Sequence, residues 1–181
     1  MATAKRVPAA KRAPAKKAAR AATTGSVSGI KHEHLLPTAG RLRTPTTYEA
    51  NTVFVGMSFR GEGSEDAFAA IRSTCRSLKL VAKRVDELTS SGFIILEIID
   101  LIERAEFVVM DLTHERPNVY YELGYAHGVG NSPQNILLVA RTGTELHFDI
   151  AAMRIQYYKS ASELEQLVKV KLGAMLKNAR A

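Results

Sequence analysis

After residue 50, short apolar runs alternate with helix-like segments, and this alternation constrains the fold more than any other feature. The first run, residues 52–57, is rich in β-branched residues and suits a buried parallel strand. Apolar residues then recur at helical spacing from Phe68 to Leu78. Because parallel strands need crossovers, the alternation predicts one α/β domain: a parallel sheet of about five strands with helices on both faces. The predicted strands are residues 52–57, 80–85, 107–110, 136–140 and, at a sheet edge, 154–158.

Positive charge is concentrated in the first part of the chain. The net charge is +7, yet residues 1–50 contain ten Lys or Arg and two acidic residues, whereas the remainder contains fifteen Lys or Arg and sixteen acidic residues. Residues 1–29 have almost no apolar side chain larger than alanine, so burial cannot offset the entropy lost on ordering. We therefore predict a disordered basic tail at residues 1–29, a linker at 30–50 and a nearly neutral domain at 51–181.

The tail has a lysine- and alanine-rich pattern typical of chromatin and nucleoid proteins, whose tails bind phosphate backbones without reading sequence. Non-specific nucleic-acid contact through residues 1–29 is therefore one interpretation. A solubilising tail is a second, and an organelle transit peptide is a third, since the segment is basic and poor in acids.

Simple counts restrict the function classes. Cys75 is the single cysteine, which excludes an intrachain disulfide and a zinc site made of several cysteines. The longest apolar stretch, residues 93–102, is interrupted by Glu97 and Asp100 and is shorter than the ~18 residues that a membrane span needs. We predict a cytoplasmic protein with no metal site and no membrane association.

In parallel α/β sheets, ligands bind at the carboxyl ends of the strands, near the point where strand order reverses. Four predicted loops lie at this edge, at residues 58–64, 86–92, 111–118 and 141–149. The third loop and the helix after it are the richest in polar residues. We therefore expect a nucleotide-type site centred on residues 111–124.

Glu122 is the candidate for chemistry in this segment. It lies four residues after Asn118, so both project from the same face of the predicted helix. Asp111 sits where the preceding strand ends, and Gly124 would allow close approach to the helix backbone. The structural alternative for Glu122 is a surface acid that stabilises the helix dipole.

Four motifs in order carry a resemblance to a known family. D-L-T-x-x-x-P-N-V-Y-Y-E-L-G-Y-A-H, beginning at Asp111, resembles the signature of bacterial TIR-like and nucleoside 2-deoxyribosyltransferase-like domains. V-F-V-G-M-S-F from Val53, V-D-E from Val85 and H-F-D-I from His147 match as well. The resemblance covers residues 52–158.

The resemblance implies a flavodoxin-like three-layer fold and an enzyme that breaks N-glycosidic bonds in nucleosides, nucleotides or NAD. The family glutamate falls on Glu122, which would attack C1′ of the ribose or stabilise the oxocarbenium ion as the base leaves. Asp111 and Asn118 would hold the ribose hydroxyls or orient Glu122. No cofactor is expected, and NAD, where bound, would be a substrate.

Further substrate contacts are expected on the surrounding loops. The loop after the first strand contains Arg60 and two glycines and precedes a helix N-terminus, which would suit phosphate, although a plain turn explains it equally well. Tyr121 would stack on a base unless it belongs to the core, and Asp86 is a candidate ribose or base contact. The candidate substrate-binding residues are Gly56, Ser58, Phe59, Arg60, Asp86, Gly92, Tyr121 and Asp149.

Three functions remain open from the sequence. The first is an N-glycosidic enzyme working as a homo-oligomer, because TIR-like domains often assemble to complete their sites. The second is a non-catalytic nucleotide-sensing or assembly module in bacterial defence signalling. The third is a nucleic-acid-associated scaffold acting through the basic tail. The chain has no tryptophan, and P-N-V-Y-Y departs from the transferase pattern, which weakens the transferase reaction more than nucleotide binding.

Overall fold

A computed structural model of the protein describes residues 49–85 and 94–181. Strands and helices alternate along this part of the chain, with a short 3₁₀ helix at Pro133–Asn135. The elements are β1 (Glu49–Gly56), α1 (Ser64–Ser77), β2 (Val81–Lys83), α2 (Ile94–Arg104), β3 (Ala105–Asp111), α3 (Pro117–Gly128), β4 (Ile136–Arg141), α4 (Phe148–Ala151), β5 (Ile155–Tyr158) and α5 (Ala161–Ala179).

The strands form one parallel sheet in the order β2-β1-β3-β4-β5. The chain winds from β1 outward to β2, crosses back past β1 to β3, and then continues in the opposite direction. This is the flavodoxin-like order, and it confirms the predicted fold class. The order reverses between β1 and β3. Ligands of such sheets bind beside the carboxyl ends of the strands at this reversal, and we call this position the β1/β3 crevice.

Alternate strand residues bury two separate apolar cores. On one side, which we call the α1/α5 face, Val55 and Val109 pack with residues of α1 and α5. On the other, the α2/α3 face, Phe54 and Met110 pack with residues of α2 and α3. The direction of a side chain at a strand end therefore decides which helices it meets.

The element bounds differ from the sequence prediction mainly in length. β2 is shorter than the predicted 80–85, because it pairs with β1 alone and Val81 is exposed. β3 is longer than the predicted 107–110, because β1 and β4 flank it on both sides. β5 forms an edge of the sheet, as predicted. The single turn of α4 was not anticipated.

Several predictions fall outside the described residues. These are the tail at 1–29, the linker up to residue 48, and the candidate contacts Asp86 and Gly92. Among the helices that are described, none is both long enough and apolar enough to cross a membrane.

Candidate functional site

Glu122 lies against the end of β1, at the carboxyl edge of the α2/α3 face. The residue is only 3% exposed. Gly56, the last residue of β1, pairs in register with Met110 of β3. A Cβ atom on Gly56 would lie 2.8 Å from Glu122 Oε2 and would overlap Met110 Sδ. Glycine at position 56 therefore allows the carboxyl group to approach the strand backbone at the crevice between β1 and β3.

The start of α3 places Glu122 in the second turn of the helix. Pro117 occupies the first helical position, where its fixed backbone angle suits a helix and its missing N–H is not needed. Arg116 precedes it as an extended N-cap residue without a side-chain cap. Val119 and Leu123 are buried against the sheet, so Glu122, beside Leu123, is turned inward with them.

Burial dominates the electrostatics of Glu122. Desolvation raises the pKa of its carboxyl group to about 7, and a hydrogen bond from the Asn118 side chain acts in the opposite direction by stabilising the carboxylate. Both protonation states are therefore populated near neutral pH. A carboxyl group tuned in this way is suited to nucleophilic or acid–base work.

Asp111 lies at the end of β3 but faces the other side of the sheet. Its Oδ1 accepts hydrogen bonds from Thr113 N at 2.9 Å and Thr113 Oγ1 at 2.5 Å, and its Oδ2 accepts one from the Tyr158 hydroxyl at 2.7 Å. Tyr158 belongs to the core of the α1/α5 face. Burial, and then the negative charge of Asp111, raises the pKa of that hydroxyl well above its usual value. Asp111 thus joins the ends of β3 and β5, and its carboxylate points away from Glu122.

Ser58, Phe59 and Arg60 shape the loop after β1. The buried Ser58 hydroxyl donates to the Arg60 carbonyl and accepts from Arg60 N at 3.2 Å, which closes a tight turn. Phe59 is 40% exposed, and its ring centroid lies 5.6 Å from the guanidinium carbon of Arg84. The Arg60 side chain is exposed. Ser58 therefore holds the loop, while Phe59 and Arg60 form its surface.

The remaining predicted residues separate into two groups. Asn118 and Tyr121 are exposed on α3 beside Glu122, with Tyr121 53% exposed. Asp149 lies on α4, where its carboxylate is 3.4 Å from His147 Nδ1. His147 N donates to Glu115 Oε1 at 3.0 Å, which ties the start of α4 to the loop between β3 and α3.

His114 and Arg141 cover the loop between β1 and α1. The His114 ring would lie 2.5 Å from a Cβ atom on Gly61, and the Arg141 guanidinium would overlap one on Gly63. Both glycines have positive φ angles, 138° and 76°. They are therefore required by the backbone as well as by the close approach of side chains. The two glycines are visible in the sequence as a candidate tight loop, whereas no sequence pattern predicts that Arg141 lies beside it.

A separate cavity of about 310 Å³ lies between α3 and the connection from β4 to β5. Its walls include the apolar side chains of Ile136, Leu138 and Met153, with His127 and Arg154 as the ionisable contributors. Within residues 49–85 and 94–181, no group of three or more His, Cys, Asp or Glu side chains is arranged to hold a metal ion.

No protein-family model and no curated protein matches the sequence, whereas a solved structure shares the fold. The CMP N-glycosidase BcmB of Clostridium botulinum superposes with a TM-score of 0.50 at 15% identity, over 66% of this chain and 98% of that chain. A diflavin flavoprotein A3 (all3895) from Nostoc sp. superposes with a TM-score of 0.49 at 12% identity, over 71% of this chain and 95% of that chain. At such identities the likeness to the glycosidase shows a common α/β fold and nothing finer.

Proposed function

We propose that the domain cleaves the N-glycosidic bond of a nucleotide, a nucleoside or NAD, and that Glu122 acts at C1′ of the ribose. The observation that carries this proposal is the buried Glu122 carboxyl group lying against Gly56 at the β1/β3 crevice. Ligands of flavodoxin-like sheets bind in that crevice. The motif resemblance supports the choice of glutamate, and a CMP N-glycosidase of the same fold supports the reaction class.

The proposed reaction proceeds through the carboxylate form of Glu122. Its oxygen forms a bond to C1′ as the bond from C1′ to the base breaks, and the base leaves with the electron pair. The base of a nucleoside or nucleotide then takes up a proton from solvent, whereas nicotinamide leaves the cationic ring of NAD as a neutral molecule and needs none. Water then attacks C1′, which releases the sugar and restores the carboxylate. Because the transition state is cationic at C1′, a buried carboxylate stabilises it strongly.

Neighbouring residues of α3 would hold the substrate. Asn118 hydrogen-bonds to the Glu122 carboxyl group and has further capacity to bind a ribose hydroxyl. Tyr121 presents an exposed ring beside Glu122, which suits stacking on a base. The Asp111 carboxylate lies on the other face of the sheet, where it accepts hydrogen bonds from Thr113 and Tyr158, so we assign it no contact with C1′.

The test is release of free base, measured by chromatography. Wild type and Glu122→Gln would be incubated with NAD, with ribo- and deoxyribonucleoside 5′-monophosphates and with the parent nucleosides. We expect free base from wild type and a rate lower by about 100- to 10,000-fold in Glu122→Gln, since one acid–base or nucleophilic group is lost. Glu165→Gln, on α5 at the other face of the sheet, is the matched control and should retain the wild-type rate.

The same assay separates the enzyme from a sensing module. Equal release of base by wild type and Glu122→Gln would contradict the role of Glu122. No free base from any substrate, at high protein concentration, would reject the enzyme proposal. Ligand-dependent thermal stabilisation without product would then favour nucleotide sensing at the same crevice.

A further inference from the structure

Arg141 brings a guanidinium group to the N-terminus of α1. It is the last residue of β4, and its side chain extends along the carboxyl edge until Nη2 lies against Gly63, the N-cap residue of α1. Any side chain at position 63 would displace the guanidinium. The guanidinium therefore lies in space that a side chain at position 63 would fill.

Two buried donors at this helix end have no hydrogen-bond partner. Ser64, the first residue of α1, is 3% exposed, and its hydroxyl is unpartnered among the described residues. The buried Nε of Arg141 is likewise unpartnered there. In addition, α1 has no side-chain cap, which leaves backbone N–H groups of its first turn to other acceptors. Unsatisfied buried donors are rare in proteins and call for an acceptor.

The charge at this position also calls for an anion. The N-terminus of a helix carries a partial positive charge, so a guanidinium beside it adds to the attraction for an anion. Glu65 in the first turn is engaged with Arg84 at 3.0 Å, and its side chain is 71% exposed. Glu62 and Asp66 are exposed as well. A phosphate group would supply both the charge and the acceptor oxygens.

A network of hydrogen bonds holds Arg141 in this place. Arg141 N donates to Thr113 Oγ1 at 2.9 Å, and that hydroxyl in turn donates to Asp111. Thr142 N donates to the Tyr158 carbonyl at 2.7 Å. Asp111 therefore fixes the end of β4, from which the Arg141 side chain departs.

We infer that Arg141 and Ser64 bind the phosphate of a nucleotide substrate, and that Asp111 is a positioning residue for Arg141. The inference rests on the proposed function for the rest of the substrate. It assigns the distinction between nucleotides and nucleosides to Arg141 at the end of β4. The exposed Arg60 of the β1–α1 loop, for which the sequence left phosphate binding and a plain turn open, is not included in this subsite.

Binding of inorganic phosphate tests the subsite without any turnover. By calorimetry or ³¹P NMR, Arg141→Gln should weaken phosphate binding by about 10- to 100-fold, the range for hydrogen bonds to a charged group. Arg76→Gln, in the last turn of α1, is the matched control and should bind as wild type does. Ser64→Ala should weaken binding without lowering Tm, because its hydroxyl has no partner to lose. Arg141→Lys should recover part of the affinity, since it keeps the charge and loses the planar fork.

Substrate preference provides an independent measurement. The ratio of kcat/KM for a nucleoside 5′-monophosphate to that for its nucleoside should fall by about 10- to 100-fold in Arg141→Gln. Arg154→Gln, at the separate cavity, should leave the ratio unchanged. Asp111→Asn should raise KM for the monophosphate more than it lowers kcat, which a general loss of structure would not do.

The outcomes are distinct. Phosphate binding that is absent from wild type, or lost in Arg76→Gln and kept in Arg141→Gln, would overturn the inference. Arg141-dependent phosphate binding with no free base from any substrate would support this subsite and at the same time reject the proposed reaction. A preference ratio that Arg141→Gln does not change would overturn the assignment of specificity to Arg141.

Discussion

Glu122 and Asp111 are both buried carboxylic acids at the carboxyl edge of one sheet, yet they differ in the number of hydrogen-bond donors around them. Glu122 is 3% exposed and Asp111 is 5% exposed. Asp111 accepts hydrogen bonds from Thr113 and Tyr158, whereas Glu122 lies against Gly56 and Met110, with Asn118 as its polar neighbour. Burial alone therefore does not mark a reactive acid. The two acids therefore differ in the hydrogen-bond donors around them and not in their burial.

The largest expected effect on stability concerns the protonation of Glu122. Because its pKa rises from 4.5 to about 7 in the folded state, its favourable contribution is complete below pH 4.5 and is lost as the pH rises through 7. Glu122→Gln should therefore gain stability relative to wild type between these pH values, by up to about 3 kcal/mol. Urea unfolding at pH 5 and pH 8 measures the difference. A difference that stays constant with pH would show that the carboxyl group is not desolvated in the folded protein.

Asp111→Asn should lower the stability of the protein, whereas Glu122→Gln should raise it. The amide keeps one acceptor but places an NH₂ group where Thr113 or Tyr158 donates, so the free energy of unfolding should fall by about 1–3 kcal/mol. Chemical denaturation at pH 7 measures it. Asp149→Asn on the exposed α4 is the matched control and should change stability by less than about 0.5 kcal/mol. Equal effects of the two substitutions would remove the contrast between Asp111 and an ordinary surface acid.

Substitutions at two glycines test whether Glu122 depends on its close approach to β1. Gly56→Ala should destabilise the fold by about 1–3 kcal/mol, because the new methyl group collides with Met110 and Glu122. It should also lower the rate of base release, since Glu122 is displaced. Gly124→Ala meets nothing within 4 Å on the exposed side of α3, so it should stabilise the helix by about 0.5–1 kcal/mol. The measurement is the Tm of both variants. An unchanged Tm in Gly56→Ala would mean that Glu122 does not need its close approach to the backbone of β1.

The sequence predicted those features that depend on local signals. Apolar runs and helical spacing were enough for the parallel sheet and its edge strand, and the segment from Pro117 onward placed Glu122 on a helix at the correct edge. The partners of Asp111 were not predictable, because its hydrogen bond to Tyr158 spans 47 positions of the chain and depends on which face the end of β3 presents. The approach of Arg141 to Gly63 depends in the same way on the order of three strands.

The hydrogen bond between Asp111 and Tyr158 also orders events during synthesis of the chain. Asp111 leaves the ribosome well before Tyr158, which belongs to the last strand. Until β5 has joined β4, the Asp111 carboxylate must stay hydrated, and the end of β3 cannot close over it without a large desolvation cost. A nascent chain that stops before Tyr158 therefore cannot complete the carboxyl edge. The carboxyl edge of the sheet is assembled only after nearly the whole domain has been made.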